Sequence, residues 1–191
     1  MKRLNTLLIA LAITGSAIAQ TTWTVDKVHS KIGFSATHMV VAETEGVFKD
    51  FDIKVSNKAA DFNGADVEFT AKVASIDTDN EKRDAHLKSD DFFNAEKYPE
   101  IKFKGKLVKE GAGYKLKGDL TIRDVTKAVS YDVTYGGTTK VGPGEKAGFK
   151  FTAKLDRFDY GLKWDKTVEA GGLVVGKEIE IIAKVELNKQ V

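Results

Sequence analysis

The chain has 191 residues, 30 Lys+Arg against 28 Asp+Glu, two prolines and no cysteine. That length fits one domain, and 42% apolar with 30% charged residues is the balance of a globular protein that meets water. Without cysteine there is no disulfide framework, thiolate nucleophile, Cys-ligated zinc or iron–sulfur cluster.

Lys2-Arg3, the apolar run at 4–13 and the small-residue stretch Gly15-Ser16-Ala17-Ile18-Ala19 have the layout of a secretory signal peptide. Cleavage is predicted after Ala19, which places residues 20–191 in one domain and the protein in a periplasm or outside the cell. The run is too short to span roughly 30 Å of hydrocarbon, so no membrane anchor is expected. Lys2 and Arg3 leave with the leader, which takes the basic count from 30 to 28 against 28 acids. A neutral chain is a poor ligand for nucleic acid or an anionic membrane surface, both of which select surplus positive charge.

From Trp23 onward the dominant period is two. Val67, Phe69, Ala71 and Val73 alternate with Glu68, Thr70 and Lys72. Ile101, Phe103, Gly105 and Leu107 alternate with Lys102, Lys104 and Lys106. The same pattern predicts eight strands, at 23–37, 43–56, 65–76, 100–109, 113–122, 128–136, 147–157 and 177–188. Each has one dry face and one wet face, because successive strand side chains point opposite ways. Asn63-Gly64, Gly111-Ala112-Gly113 and Gly142-Pro143-Gly144 supply turns. Two connections differ. Residues 83–89 predict a short helix, followed by a turn at 91–94 and a break at Tyr98-Pro99. Residues 158–176 form a long loop rich in aromatics and glycines.

Eight antiparallel strands with one apolar face each predict a closed barrel or a two-sheet sandwich, and only closure removes the edges. The polar face is dense in lysine, at Lys102, Lys104, Lys106, Lys115 and Lys117. Each lysine at mid-bilayer depth would cost about 2–4 kcal/mol, so the charged face meets water and the chain is not an integral membrane protein. The apolar face is then the interior. Phe34, Phe48, Phe69, Phe103, Phe151 and Ile181 share it with Ala36, Ala71, Gly105, Gly118, Ala153 and Ala183. Small inward residues fit either a ligand cavity or a simple taper, and alternation leaves both open.

Several phrases, taken in order, resemble the YceI-like family of exported polyisoprenoid-binding barrels. They include Trp23-Thr24-Val25-Asp26-Lys27-Val28-His29-Ser30, Ile32-Gly33-Phe34, Thr37-His38-Met39-Val40 and Glu45-Gly46-Val47-Phe48. Arg83-Asp84-Ala85-His86-Leu87-Lys88-Ser89, Asp91-Phe92-Phe93-Asn94 and Tyr98-Pro99-Glu100-Ile101-Lys102-Phe103 continue the set. Gly118-Asp119-Leu120-Thr121-Ile122, Val125-Thr126-Lys127, Asp156-Arg157 and Tyr160-Gly161-Leu162 complete it. Asp124, Phe158 and Tyr160 depart from the family's usual pattern. The resemblance implies a lipocalin-like antiparallel barrel whose tunnel holds a polyprenyl chain, a quinone tail or a fatty-acid derivative. It implies no catalysis and no cofactor beyond such a lipid. The alternative is a stress-response or protein-interaction module with a filled barrel, and a homodimer is compatible with either.

The polar candidates are few. His29, His38 and His86 show no close metal-ligand spacing, so no metal is predicted. His29 is read as fixing a strand bend and His38 as facing a ligand head group. Arg83, Arg123 and Arg157 each lie near an acid, which predicts ion pairs closing loops onto the barrel. Arg157, opening the long loop, is the one placed at the ligand. Phe93, Tyr160 and Trp164 are placed at the mouth, since loop aromatics are rare unless covered. Asp90-Asp91 are sequence neighbours on a loop, and Ser30 and Ser35 lack a triad context, so no catalytic residue is predicted.

Overall fold

Aromatic and β-branched residues at every second position favour a pleated, half-buried backbone, and they form the strands. The computed structural model describes residues 20–190 apart from Ala60, Ala112 and Ala170. The predicted leader, 1–19, lies outside the described residues. The elements run β1 (Thr21–Val25), β2 (Lys31–His38), β3 (Ala42–Phe48), β4 (Phe51–Asn57), β5 (Asp66–Lys72) and β6 (Ile76–Asp77). There follow the helix α1 (Glu81–Lys88), β7 (Glu100–Glu110), β8 (Gly113–Ile122), β9 (Val125–Val141), β10 (Gly144–Asp156) and β11 (Val175–Lys189). Single 3-10 turns occupy Val73–Ser75 and Arg157–Tyr160.

All pairings are antiparallel, and the sheet closes on itself. Trp23 of β1 lies opposite both Val55 of β4 and Lys189 of β11. The ring is β1-β4-β5-β7-β8-β9-β10-β11, eight strands with the first joined to the last. β2 continues β1 along the same edge of β11, with Phe34 opposite Ile181. β3 continues β4, and β6 continues β5. The first three predicted strands are therefore present, each broken once.

The three breaks lie side by side. Residues 26–30 bend between β1 and β2, Lys49-Asp50 between β3 and β4, and Val73–Ser75 between β5 and β6. Lys49 N–H donates to Ser75 O at 3.1 Å and Lys72 N–H to Asp50 O at 2.9 Å, so neighbouring strands turn together. Each break shifts the inward side chains from odd to even positions or back. Trp23 and Val25 give way to Ile32 and Phe34, Phe48 to Phe51, and Ala71 to Ile76. A uniform two-residue period cannot show a break, but that change of phase does.

One end is plugged. Phe62, on the loop after β4, meets Trp23 at 5.2 Å, Tyr135 at 5.7 Å and Phe149 at 4.9 Å between ring centres. The other end is built from irregular chain. There α1 is capped by Asn80, whose Oδ1 accepts from Arg83 N–H at 3.0 Å, and no helix residue is buried. Helix and loop fill the space where β5 leaves β7. Pairing of β9 with β10 also stops short of this end, at Lys150 opposite Thr134, after a shift at Gly148-Phe149. Among the described residues no helix is long and apolar enough to cross a membrane.

The wet face is laced with ion pairs, and one carboxylate binds two strands. Glu100 accepts from Lys102 at 2.8 Å and from Lys72 across the β5–β7 ladder. These bonds, Lys102 first, lower its pKa to about 2. Lys146, 2.7 Å away, and then His29 likewise hold Asp26 well below the usual carboxylate range. A depressed carboxylate pKa stabilises the fold above the unfolded value, about 4, and that contribution disappears as pH falls through the folded value. Urea midpoints are accordingly expected to drop between about pH 4 and pH 2, and less steeply in Glu100→Gln. Equal slopes in the two proteins would show that Glu100 is not part of the acid transition.

Candidate functional site

The barrel interior is hollow. Inward side chains of β4 and β5, such as Ile53, Val55 and Val67, line the space and are buried. Inward side chains of β9, β10 and β11, among them Tyr131, Phe149, Phe151, Ile179, Ile181 and Val185, are only half-buried although they point away from bulk water. They face a cavity of about 220 Å³. Its wall runs from Leu107, Leu116 and Leu187 near the aromatic plug to Val175, Leu162 and Arg157 at the open end. Arg157 is the one charged residue of that lining.

Of the small inward residues, Ala36 and Ala183 line this space, whereas Ala71, Gly105, Gly118 and Ala153 do not. Gly105 and Gly118 face each other across the β7–β8 ladder. A Cβ on either would lie 2.6 or 2.8 Å from Phe103 Cζ. The two glycines leave room for the tip of the Phe103 ring. Ala71 is 0% exposed and packs in the solid part of the core.

A second chamber of about 320 Å³, mostly apolar but with several polar side chains, lies beside the first. The two lie side by side and share Phe34, Ala36, Leu87, Phe92 and Val175 as their common wall. The second chamber is also lined by Thr37, His38, Thr44, Thr78, Lys82, Arg83, His86 and Trp164. Trp164 packs on His86 at 5.2 Å and on Phe92 at 5.5 Å. His86 in turn bonds Asp91 at 2.8 Å.

Most of the predicted contact residues converge. Phe34, Phe48, Phe69, Phe93, Phe103, Phe151, Arg157 and Ile181 line the inner cavity, and His38 and Trp164 line the vestibule. Tyr160 differs. It is 2% exposed and touches neither chamber, lying instead beneath Lys127, whose Nζ is 5.9 Å from the ring. Burial, with Tyr131 and Asp159 adding to it, pushes its hydroxyl up to about 12, so it stays protonated at neutral pH. Tyr131 and Leu87 were passed over, although both line the cavity. Tyr131 was legible as an inward position of its strand, stacked on Phe151 at 5.6 Å. Leu87 is the one large apolar residue of α1, a weak signal in so short a helix.

The arginines do not pair with acids as expected. Arg157 is 3% exposed, and its donors are spent on backbone carbonyls. Nε donates to Gly176 O at 2.9 Å, Nη1 to Leu162 O at 2.5 Å, and Nη2 to Trp164 O at 2.7 Å and Val175 O at 2.9 Å. Burial pulls its pKa down, against Asp156 and Asp165. It clasps both ends of the long loop, and what it shows the cavity is not a free hydrogen-bonding fork. Arg123 does the same for Phe92 O at 3.0 Å and Gly161 O at 2.9 Å. Arg83 binds Thr78 Oγ1 at 2.8 Å and Thr78 O at 2.6 Å. A guanidinium forks onto carbonyls as readily as onto a carboxylate, and loops expose carbonyls that no ladder satisfies.

The three histidines do not meet. His38 and His86 face the vestibule, whereas His29 sits at the β1–β2 bend and bonds Asp26 at 3.0 Å. Asp26, His29 and Glu186 do cluster. Lys146 Nζ already stands between the carboxylates, 2.7 Å from Asp26 and 2.5 Å from Glu186, where a cation would sit.

Residues 23–187 match the YceI-like domain family. A UPF0312 protein of Staphylococcus aureus is 34% identical over 170 residues, which is 88% of this chain and 98% of the relative. The Campylobacter jejuni YceI protein superposes with a TM-score of 0.68 at 34% identity, over 87% of this chain and 97% of that one. Burkholderia cenocepacia BcnA shares the fold at 23% identity, with a TM-score of 0.71 over 85% and 98% of the two chains. A polyisoprenoid binding domain from Saccharophagus degradans, implicated in plant cell wall breakdown, shares it at 9% identity with a TM-score of 0.62, over 86% of this chain and 97% of that domain. With a closed eight-stranded barrel and a match across nearly all of it, the chain belongs to the YceI-like family.

Proposed function

We propose that the protein is an exported, non-catalytic carrier that holds one long-chain isoprenoid or similar lipid inside the barrel. The observation that supports this reading is an apolar cavity inside the barrel that adjoins a second chamber carrying His38, Lys82, Arg83 and His86. A chain of methyl and methylene groups fits the first chamber, and a polar end fits beside His38, Lys82 and His86 in the second. Each buried methylene contributes about 0.8 kcal/mol, so a five-carbon isoprene unit contributes roughly 3–4 kcal/mol before the cost of ordering the chain. A few units therefore suffice for tight binding without a specific anchor. Polyprenyl chains, quinone tails and fatty-acid derivatives compete for such a site on length and shape. The polyisoprenoid-binding description of the Saccharophagus degradans neighbour agrees with this ligand class. Export rests on the leader-like layout of residues 1–19.

Expression with the native leader, organic extraction of the purified protein and mass spectrometry test the reading. A copurifying isoprenoid, and a matching mass increment on the intact protein whose N-terminus is Gln20, are the expected results. A ligand-free mass that accepts no added polyprenol, quinone or fatty amide would sink it.

A further inference from the structure

The hairpin turn joining β2 to β3 has the wrong residues for its shape. His38 pairs with Ala42, and Val41 N–H donates to His38 O at 3.2 Å, so Met39 and Val40 are the central residues. Their φ angles are +50° and +68°. That left-handed pair is the geometry for which Asn-Gly is the natural choice. A β-branched residue there is strained, because its Cβ crowds the backbone. The same turn exposes its side chains. Met39 is 49%, Val40 58% and Val41 88% exposed. A strained turn with three consecutive apolar residues in water is poor for stability and for solubility, so another requirement keeps them there.

Their position indicates which requirement. Met39 N–H donates to Val174 O at 2.8 Å, and both His38 and Val174 line the vestibule. The tip therefore projects from the rim of the chamber that adjoins the cavity. The exposed charges around it are of mixed sign, with Glu43 and Glu45 on β3 and Lys163, Asp165, Lys166 and Glu169 on the long loop. We infer that Met39, Val40 and Val41 form a membrane-contact tip that seats the open end of the barrel on a lipid bilayer. The lipid surface is the partner because it offers what the tip lacks, an apolar medium that needs no matching charge. It also brings the mouth against the phase in which an insoluble ligand resides. This inference rests on the carrier reading for its purpose, but not for its geometry.

The test uses vesicles of phosphatidylcholine and phosphatidylethanolamine, flotation, and the double variant Met39→Asn with Val40→Gly. Both replacements suit the left-handed turn, so the variant is expected to melt at the same temperature as the parent or higher. The parent chain floats with the vesicles, and the variant partitions at least about tenfold less, since most of the inserted apolar area is gone. Raising NaCl to roughly 0.5 M leaves the parent's partition unchanged, because uncharged insertion is not screened. Equal flotation of parent and variant, or no flotation of the parent, overturns the inference. So does light scattering that shows the parent self-associating through this turn while vesicles compete for nothing. Uptake of polyprenol from dilute ethanol, without vesicles, separates the two readings. If neither protein loads polyprenol but flotation still depends on the tip, the carrier reading fails and the membrane contact stands.

Discussion

Ile181→Trp is expected to abolish lipid uptake while leaving the barrel nearly as stable as the parent. Ile181 lies opposite Phe34 on β2 and Ala153 on β10, and it faces the cavity half-buried. An indole there grows into free space, so the change in unfolding free energy should stay below about 1.5 kcal/mol. Polyprenol affinity should fall by tenfold or more, which is about 1.4 kcal/mol or greater, because the indole takes the volume of the ligand. Ala71→Leu is the control with the opposite outcome. Ala71 is fully enclosed, so the larger side chain overpacks the solid wall and costs about 1–3 kcal/mol while uptake by the folded fraction persists. Urea unfolding and a polyprenol titration on the two variants check both halves. Normal uptake by Ile181→Trp would mean that the ligand does not occupy this cavity.

The largest loss of stability is expected from Arg157→Leu. The leucine would leave the carbonyls of Leu162, Trp164, Val175 and Gly176 without their donor in a buried place. Unsatisfied groups of this kind, with the lost packing against Phe158 at 4.4 Å, cost about 3–5 kcal/mol together. At roughly 2–4 °C per kcal/mol for a chain of this size, the melting temperature should fall by about 10 °C. Arg157→Lys keeps the charge but loses the fork, so it falls between parent and leucine variant. A melting temperature within about 2 °C of the parent in Arg157→Leu would show that the loop holds without its clasp.

Much of this architecture was legible because one face of each strand must be dry. That requirement writes a two-residue period into the sequence, and it located all eight strands to within a few residues. The β9–β10 hairpin was underestimated at its start and on both sides of its turn, where Gly136, Gly137 and the threonines beyond them blur the alternation. The breaks at 26–30, 49–50 and 73–75 were visible only as a change of phase, which a search for continuous alternation passes over. The arginine partners were misread for a different reason. Adjacency in sequence says which acid is near, whereas the carbonyls that Arg157 binds are supplied by chain that folds back over it.

Composition and period alone determined that this chain is all-β, with charge outside and aromatic side chains within. Both follow from local rules, the pleat and the transfer of apolar surface out of water. Whether the inside is full could not follow from them. Side-chain volume is counted per residue, but a void depends on how rings from distant strands lie against one another. The tip of Phe103 lies over Gly105 and Gly118, Phe62 reaches across to plug one end, and side chains from strands around the barrel are left lining a cavity. Closing the sheet into a ring brought those residues together, and only that closure decided where the cavity is and which side chains line it.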